Sequence, residues 1–285
     1  MADDTTSLFR PAGSLTNGAD QIRLTPEEAG WDWCGLTVVE LAAGQTRRIE
    51  WGETEAAVVP LGGSCRVETA DAAFELEGRT DVFSGLTDLC FIPQGSTMTI
   101  SSAGGGRFCV ATSRATRTTE PRYYPASGVR VDLRGAGQAT RQINNLLTAD
   151  VAGPDRLLVV EVLTPAGNWS SYPPHKHDEP AEGETPLEEI YYFEIDGPGG
   201  FGFHRTYTLD GQIDETVTVR SGDLFLVPRG YHGPCVAAPG YHMYYLNVMA
   251  GPQPGREWLI CTDPAYEWLW EAWETEPTDP RLPFY

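Results

Sequence analysis

The sequence predicts an all-β protein: two antiparallel sandwiches or small barrels in tandem, closed by a short C-terminal helix and an extended tail. Three observations carry that expectation. Glycine (31) and proline (22) together fill about a fifth of the 285 residues, against roughly an eighth in average chains, which cuts the chain into short elements. Its apolar runs are short, rich in β-branched and aromatic residues, and bounded by turn formers. Finally, Asp88-Leu-Cys-Phe-Ile-Pro93-Gln-Gly95 returns as Asp223-Leu-Phe-Leu-Val-Pro228-Arg-Gly230.

Taken in order, Val38-Val-Glu-Leu41 is echoed by Val159-Val-Glu-Val162, each followed by a glycine (Gly44, Gly167). Glu55-Ala-Ala-Val-Val59 is then echoed by Glu189-Ile-Tyr-Tyr-Phe193, and the Asp–Pro–Gly segment follows in both copies. Echoes in one order argue for duplication of a unit of roughly a hundred residues. Residues 1–115 are read as the first barrel, 116–150 as a connector with room for a short strand, and 151–285 as the second barrel. In the second copy, strands are expected at 157–162, 190–195, 217–219, 224–227 and 243–248, an even spacing that suits a sandwich or barrel. Asp263 as a cap and Pro264 in the first turn predict the helix. Tyr266, Trp270 and Trp273 fall at i, i+4 and i+7 and form one apolar stripe covering the barrel. Pro277, Pro280 and Pro283 hold the tail extended.

Composition excludes some partners. Forty acidic against twenty basic residues leave a net charge of −20, the wrong sign for a nucleic-acid partner or an anionic membrane surface. No run approaches the ~20 apolar residues of a spanning helix, and the start, Met1-Ala2-Asp3-Asp4, does not resemble a secretion signal. Six cysteines without a CxxC pair read as buried thiols in a reducing compartment, so the chain is expected in the cytoplasm. Exposed barrel edges and the aromatic end predict a homo-oligomer.

All five histidines lie between 175 and 242, and the one lysine, Lys176, sits between two of them. His175-x-His177 puts two imidazoles on one face of a strand. Glu189 opens the next strand run, and His232 follows the turn Pro228-x-Gly230. Three neutral nitrogens and one carboxylate suit a divalent cation, Zn²⁺ or Mn²⁺ first and then Fe²⁺ or Ni²⁺. Only one of the neighbours Glu188 and Glu189 can face the interior. In the first copy Thr97 stands where the second has His232. His204 and His242 lie off this pattern and read as structural.

Gly167-(x)7-His175-x-His177, Glu189-Ile-Tyr-Tyr-Phe193 and Gly222-(x)5-Pro228-x-Gly230-x-His232 resemble the two signature motifs of cupins. The resemblance implies a bicupin, two tandem jelly-roll-like β-barrels, whose N-terminal barrel is degenerate. The chain departs from the cupin pattern in the long loop between His177 and Glu189 and in the single residue between Gly230 and His232. More narrowly, Pro173-Pro-His-Lys-His-Asp178, Glu188-Glu-Ile-Tyr-Tyr192, Val227-Pro-Arg-Gly-Tyr-His-Gly-Pro234 and Tyr244-Tyr-Leu-Asn-Val-Met-Ala-Gly251 resemble the 5-deoxy-glucuronate isomerase family of myo-inositol catabolism. The implied reaction is a metal-dependent aldose–ketose isomerisation of a small sugar acid, 5-deoxy-D-glucuronate to 5-dehydro-2-deoxy-D-gluconate.

Such a reaction needs a proton-moving group, for which Glu188, Lys176, Tyr191 and Tyr231 are the candidates, unless a hydride shift dispenses with it. The substrate carboxylate needs a cation: Lys176, Arg229, Arg141 or Arg205, with Asn247 of the last motif as a further substrate contact. Alternatives to this activity are 4-deoxy-L-threo-5-hexosulose-uronate ketol-isomerisation, an Fe or Mn cupin dioxygenase, and a sugar-binding bicupin without catalysis.

Overall fold

A computed structural model describes residues 7–18, 20–50 and 52–285; the acidic start at 1–4 lies outside the described residues. Two β-barrels are built back to back. In the first, one sheet runs Arg122–Tyr124, Leu89–Ile92, Thr54–Glu68, Gly106–Arg114, Cys34–Leu41, Asp20–Leu24. The long strand Thr54–Glu68 then bends into the opposite layer to pair with Ala73–Arg79 and Thr97–Ser102. Glycine permits the bend. Register slips at Pro60/Gly62 and Gly63/Cys65, and a Cβ on Gly78 would lie 1.9 Å from the Gly63 carbonyl oxygen.

The second barrel has a seven-stranded sheet in the order Phe9–Arg10, Leu224–Val227, Glu188–Ile195, Met243–Ala250, Leu158–Thr164, Arg141–Leu147, Arg130–Arg134. Facing it are Asp214–Val219, Gly202–Tyr207, Tyr231–Ala237, His175–Lys176 and Cys261–Thr262, with Trp169–Ser170 alongside. The expected strands at 157–162, 190–195, 217–219, 224–227 and 243–248 each fall on one of these. Segment 116–150 divides its strands: Arg122–Tyr124 joins the first barrel, and Arg130–Arg134 with Arg141–Leu147 joins the second. Phe9–Arg10 crosses from the start of the chain to the second barrel, where Phe9 pairs with Phe225.

Both faces of the joining sheets are buried. On Leu158–Thr164, Val160 and Val162 fill the second barrel, while Val159 and Leu163 enter an apolar cluster shared with Leu36, Val38 and Val59 of the first. On Glu188–Ile195 the odd positions Tyr191 and Phe193 face the barrel and the even positions Ile190 and Tyr192 face its neighbour. Polar clasps close the seam. Glu55 accepts the backbone N–H groups of Asp155, Arg156 and Leu157 at 2.7, 2.7 and 2.8 Å. Buried Arg79 pairs with buried Glu161 across it.

The C-terminal helix is shorter than the stripe implied. Asp263 caps a 3-10 turn, Pro264–Tyr266, by accepting from Ala265 N at 2.9 Å, and Trp268–Ala272 is the helix proper. Leu269 is its buried residue; Trp270 packs on Trp273 at 5.5 Å, and Trp273 on Tyr172 at 6.3 Å. No helix among the described residues is long and apolar enough to cross a membrane.

Candidate active site

The second barrel brings three histidines and one carboxylate together. Antiparallel pairing sets His175 directly opposite His232, with ring centroids 4.5 Å apart, and His177 lies 4.7 Å from His232. From the opposite layer Glu189 Oε2 reaches His177 Nε2 at 3.0 Å and His232 Nε2 at 3.1 Å. All four side chains are buried.

Backbone carbonyls orient the rings. His175 Nδ1 meets Pro173 O at 3.1 Å, His177 Nδ1 meets Leu187 O at 3.1 Å, and His232 Nδ1 meets Gly230 O at 3.2 Å. Donation to a carbonyl fixes the proton on Nδ1 and leaves the Nε2 lone pair pointing inward. Asp178 supports the third contact by accepting Gly230 N–H at 2.6 Å. Lone pairs of two imidazoles thus converge on a carboxylate oxygen. His232 Nε2 is buried without a hydrogen-bond partner even though that oxygen is close. Bare lone pairs would repel here, whereas a shared cation, whether a proton or a metal, makes the arrangement attractive, so the donor set fits a divalent metal.

Ionisation agrees. Burial pushes the His175 pKa well down, with His232 and His177 adding to the effect, so its ring is neutral. Burial alone would lower His177 too, but the Glu189 carboxylate outweighs it and holds that pKa above its usual value. Burial likewise opposes ionisation of Glu189, yet the two imidazoles hold its carboxyl far below the ordinary range. The attraction that draws a proton between these groups also draws a metal cation.

Arg141, Tyr191 and Asn247 line the cavity beside His175 and Glu189. Tyr191 OH and Tyr245 OH each lie 3.1 Å from Ser171 Oγ. Burial, then the charge of Glu189, pushes the Tyr191 hydroxyl well up, so it stays protonated.

Five other expected site residues are held elsewhere. Glu188 faces the first barrel, where it accepts the N–H groups of Asp32, Trp33 and Cys34 at 2.8, 2.8 and 3.1 Å. Lys176 points away from its histidine neighbours, as strand alternation demands, and is consumed by Asp178 at 2.7 Å and Glu184 at 2.9 Å. Tyr231 lies across the strand from His232 and stacks on Tyr207 at 5.7 Å. Arg229 is exposed and donates to Gln212 at 2.7 Å; Arg205 pairs with Asp214 at 2.9 Å over the ring of Tyr207. His204 is a satisfied structural histidine between Cys235 and Thr206 at 3.1 and 3.0 Å. His242 accepts Ala166 N–H at 3.1 Å outside the site.

Sequence reasoning missed Arg134, Ser171, Tyr245 and Trp258, which also line the cavity. Tyr245 lay inside a quoted motif but two residues from the one chosen, Asn247; Arg134 lay in the presumed connector, and its register with Arg141 was the missing signal.

Register also explains the empty half. Glu50 pairs with Thr97 as His175 pairs with His232, and Ala56 pairs with Ile92 as Glu189 pairs with Val227. The ligand positions of the first barrel therefore hold Glu50, Gly52, Ala56 and Thr97. Glu55, matched above with Glu189, corresponds instead to Glu188, and both clasp the other barrel's backbone.

Comparison with known proteins agrees with this architecture. A 5-deoxy-glucuronate isomerase of Geobacillus thermodenitrificans is 44% identical over 254 residues, covering 88% of this chain and 91% of the relative. One from Geobacillus kaustophilus is 42% identical over 93% of this chain and 96% of its own length. The crystal structure of an IolB-like protein from Salmonella typhimurium LT2 superposes with a TM-score of 0.87 at 32% identity, covering 93% of this chain and 99% of that one. Oxalate decarboxylase of Bacillus subtilis shares the fold at a TM-score of 0.66 and 12% identity, over 90% and 80% of the two chains. With residues 8–269 matching the KduI/IolB family model, this two-barrel chain belongs to the KduI/IolB family.

Proposed function

We propose that this chain isomerises 5-deoxy-D-glucuronate to 5-dehydro-2-deoxy-D-gluconate in myo-inositol catabolism, using a divalent metal held by His175, His177, Glu189 and His232. The observation that carries the reading is the convergence of the carbonyl-oriented imidazoles of His177 and His232 on Glu189, with His175 directly opposite His232. The relatives named for this activity support it at 42–44% identity. Zn²⁺ or Mn²⁺ is the expected ion, from the mixed nitrogen and oxygen donors. When bound, it supplies Lewis acidity to the sugar's carbonyl and adjoining hydroxyl, worth several kcal/mol to the charge that develops on them.

The chain's own residues handle protons and orientation. In the reaction the hydrogen on C2 moves to C1, and the C2 hydroxyl proton moves to the C1 oxygen. Of the four proposed proton-moving residues only Tyr191 lines the cavity. Its raised pKa makes it a donor to oxygen, with Ser171 in hydrogen-bond reach to return the proton and Tyr245 in reach of Ser171 in turn. Arg141, buried beside the centre, is the counter-ion for the substrate carboxylate. Six unpaired cysteines support a cytoplasmic setting. A homo-oligomer remains part of the reading because Trp268 and Trp270 are 64% and 43% exposed; a sedimenting monomer would remove it.

Proton NMR of 5-deoxy-D-glucuronate with the metal-loaded protein in D₂O is the decisive assay. Ketose signals should replace the aldehyde signal. Deuterium on the product's hydroxymethyl carbon, C6 (the substrate's C1), marks proton transfer, its absence marks a hydride shift, and no conversion refutes the proposal.

A further inference from the structure

We propose that Arg134 and Arg141, with the amide of Asn247 and the indole of Trp258, form the seat for the substrate's carboxylate and make Arg134 a specificity-determining residue; this rests on the isomerase reading above. Arg134 and Arg141 are direct cross-strand partners at the end of the hairpin Arg130–Arg134 and Arg141–Leu147. Among the described residues neither guanidinium pairs with a carboxylate. Arg141 is 6% exposed and donates to the Ala139 carbonyl at a long 3.4 Å. The nearby acid, Asp132, is engaged by Arg130 at 3.4 Å and by the Asn145 amide at 3.0 Å. Arg134 lies over the Trp258 ring at 5.6 Å, which holds its plane.

Two further donors in the same cavity are idle. Among the described residues Asn247 Nδ2 and Trp258 Nε1, both buried, have no hydrogen-bond partner, although a buried polar group without one is costly. Two guanidinium groups, an amide and an indole N–H make a wall of donors in a chain of net charge −20. Such a wall is complementary to one anionic, acceptor-only group, and planar guanidinium forks suit a carboxylate. Because His175 and Glu189 line the same cavity, a bound sugar acid is polarised: carboxylate toward the arginines, carbonyl end toward the histidines. The inference therefore fixes which end of the substrate reacts.

The test compares wild type with Arg134→Gln, Arg141→Gln and Trp258→Phe as metal-loaded proteins. Each is assayed on 5-deoxy-D-glucuronate and on neutral 5-deoxy-D-glucose, and titrated with both by tryptophan fluorescence. Wild type should prefer the acid strongly. Each arginine variant should raise KM for the acid by about 10²- to 10³-fold with metal content unchanged, against a much smaller change on the neutral sugar. Arg141→Lys keeps the buried charge should the glutamine variant not fold, and should recover part of the acid preference. Equal losses on acid and neutral sugar, or no loss at all, overturn the inference, as does tighter binding of inorganic phosphate than of the uronate. If wild type binds the acid selectively through both arginines but never converts it, the seat stands and the isomerase reading falls.

Discussion

Glu188 and Glu189 are consecutive on one strand and serve opposite faces of the sheet: Glu189 Oε2 lies 3.0 Å from His177 Nε2 inside the second barrel, while Glu188 accepts three backbone N–H groups of the first. One residue of register separates the proposed metal ligand from an inter-barrel clasp.

Replacing Glu188 by Ala should therefore reduce stability without touching the centre. Three N–H groups, that of buried Cys34 among them, lose their acceptor, costing about 1–3 kcal/mol. The urea midpoint should fall while metal content and kcat per folded molecule hold; loss of metal from a folded E188A protein would contradict the geometry. Glu55→Ala, which removes the matching clasp, should behave alike.

Ligand changes should do the reverse. His177→Ala and His232→Ala should lose bound metal and reduce turnover by about 10³-fold or more, whereas Thr97→Ala should change neither. Since ligating imidazoles must be neutral, occupancy in wild type should fall below roughly pH 6. Elemental analysis across a pH series checks both; full occupancy at pH 4 argues against histidine ligation.

Tyr191→Phe removes the hydroxyl proposed to donate to the substrate oxygen. Turnover should fall about 10²-fold with metal content and KM nearly unchanged. Undiminished kcat in Y191F assigns the proton step to another group.

His204 makes the fold acid-sensitive. Burial, reinforced by His232, lowers its pKa to about 3, against about 6.5 in an unfolded chain. Between those values the unfolded state holds the extra proton, so stability rises with pH and is lost on acidification, by about 1.4 kcal/mol per pH unit for this group. Denaturant midpoints of wild type and His204→Gln at pH 7 and pH 5 should show a shallower slope in the variant; equal slopes would mean that His204 does not titrate this way.

Much of this molecule was legible in order along the chain. Repeated Asp–Pro–Gly segments marked two barrels, and the confinement of histidine to 175–242 marked the half that holds the candidate site. His175, His177 and His232 were readable because period-two alternation and a Pro-x-Gly turn are local. The duplication was readable too, but its residue-by-residue match was not: Glu55 looks like the counterpart of Glu189 until strand register aligns it with Glu188.

The chain alone determined the strand-rich class, the tandem repeat and the identity of the imidazole cluster, because short-range spacing encodes them. Packing decided the rest. Glu188–Ile195 is buried on both faces, so its apolar run carries no alternation to say which glutamate turns inward. Lys176, Tyr231, Arg229 and Arg205 are polar groups whose partners lie across strands or loops, and only the folded register revealed that those partners consume them. Arg134 and Arg141 became a pair for the same reason: seven positions apart in the chain, they meet because a hairpin folds one strand against the other.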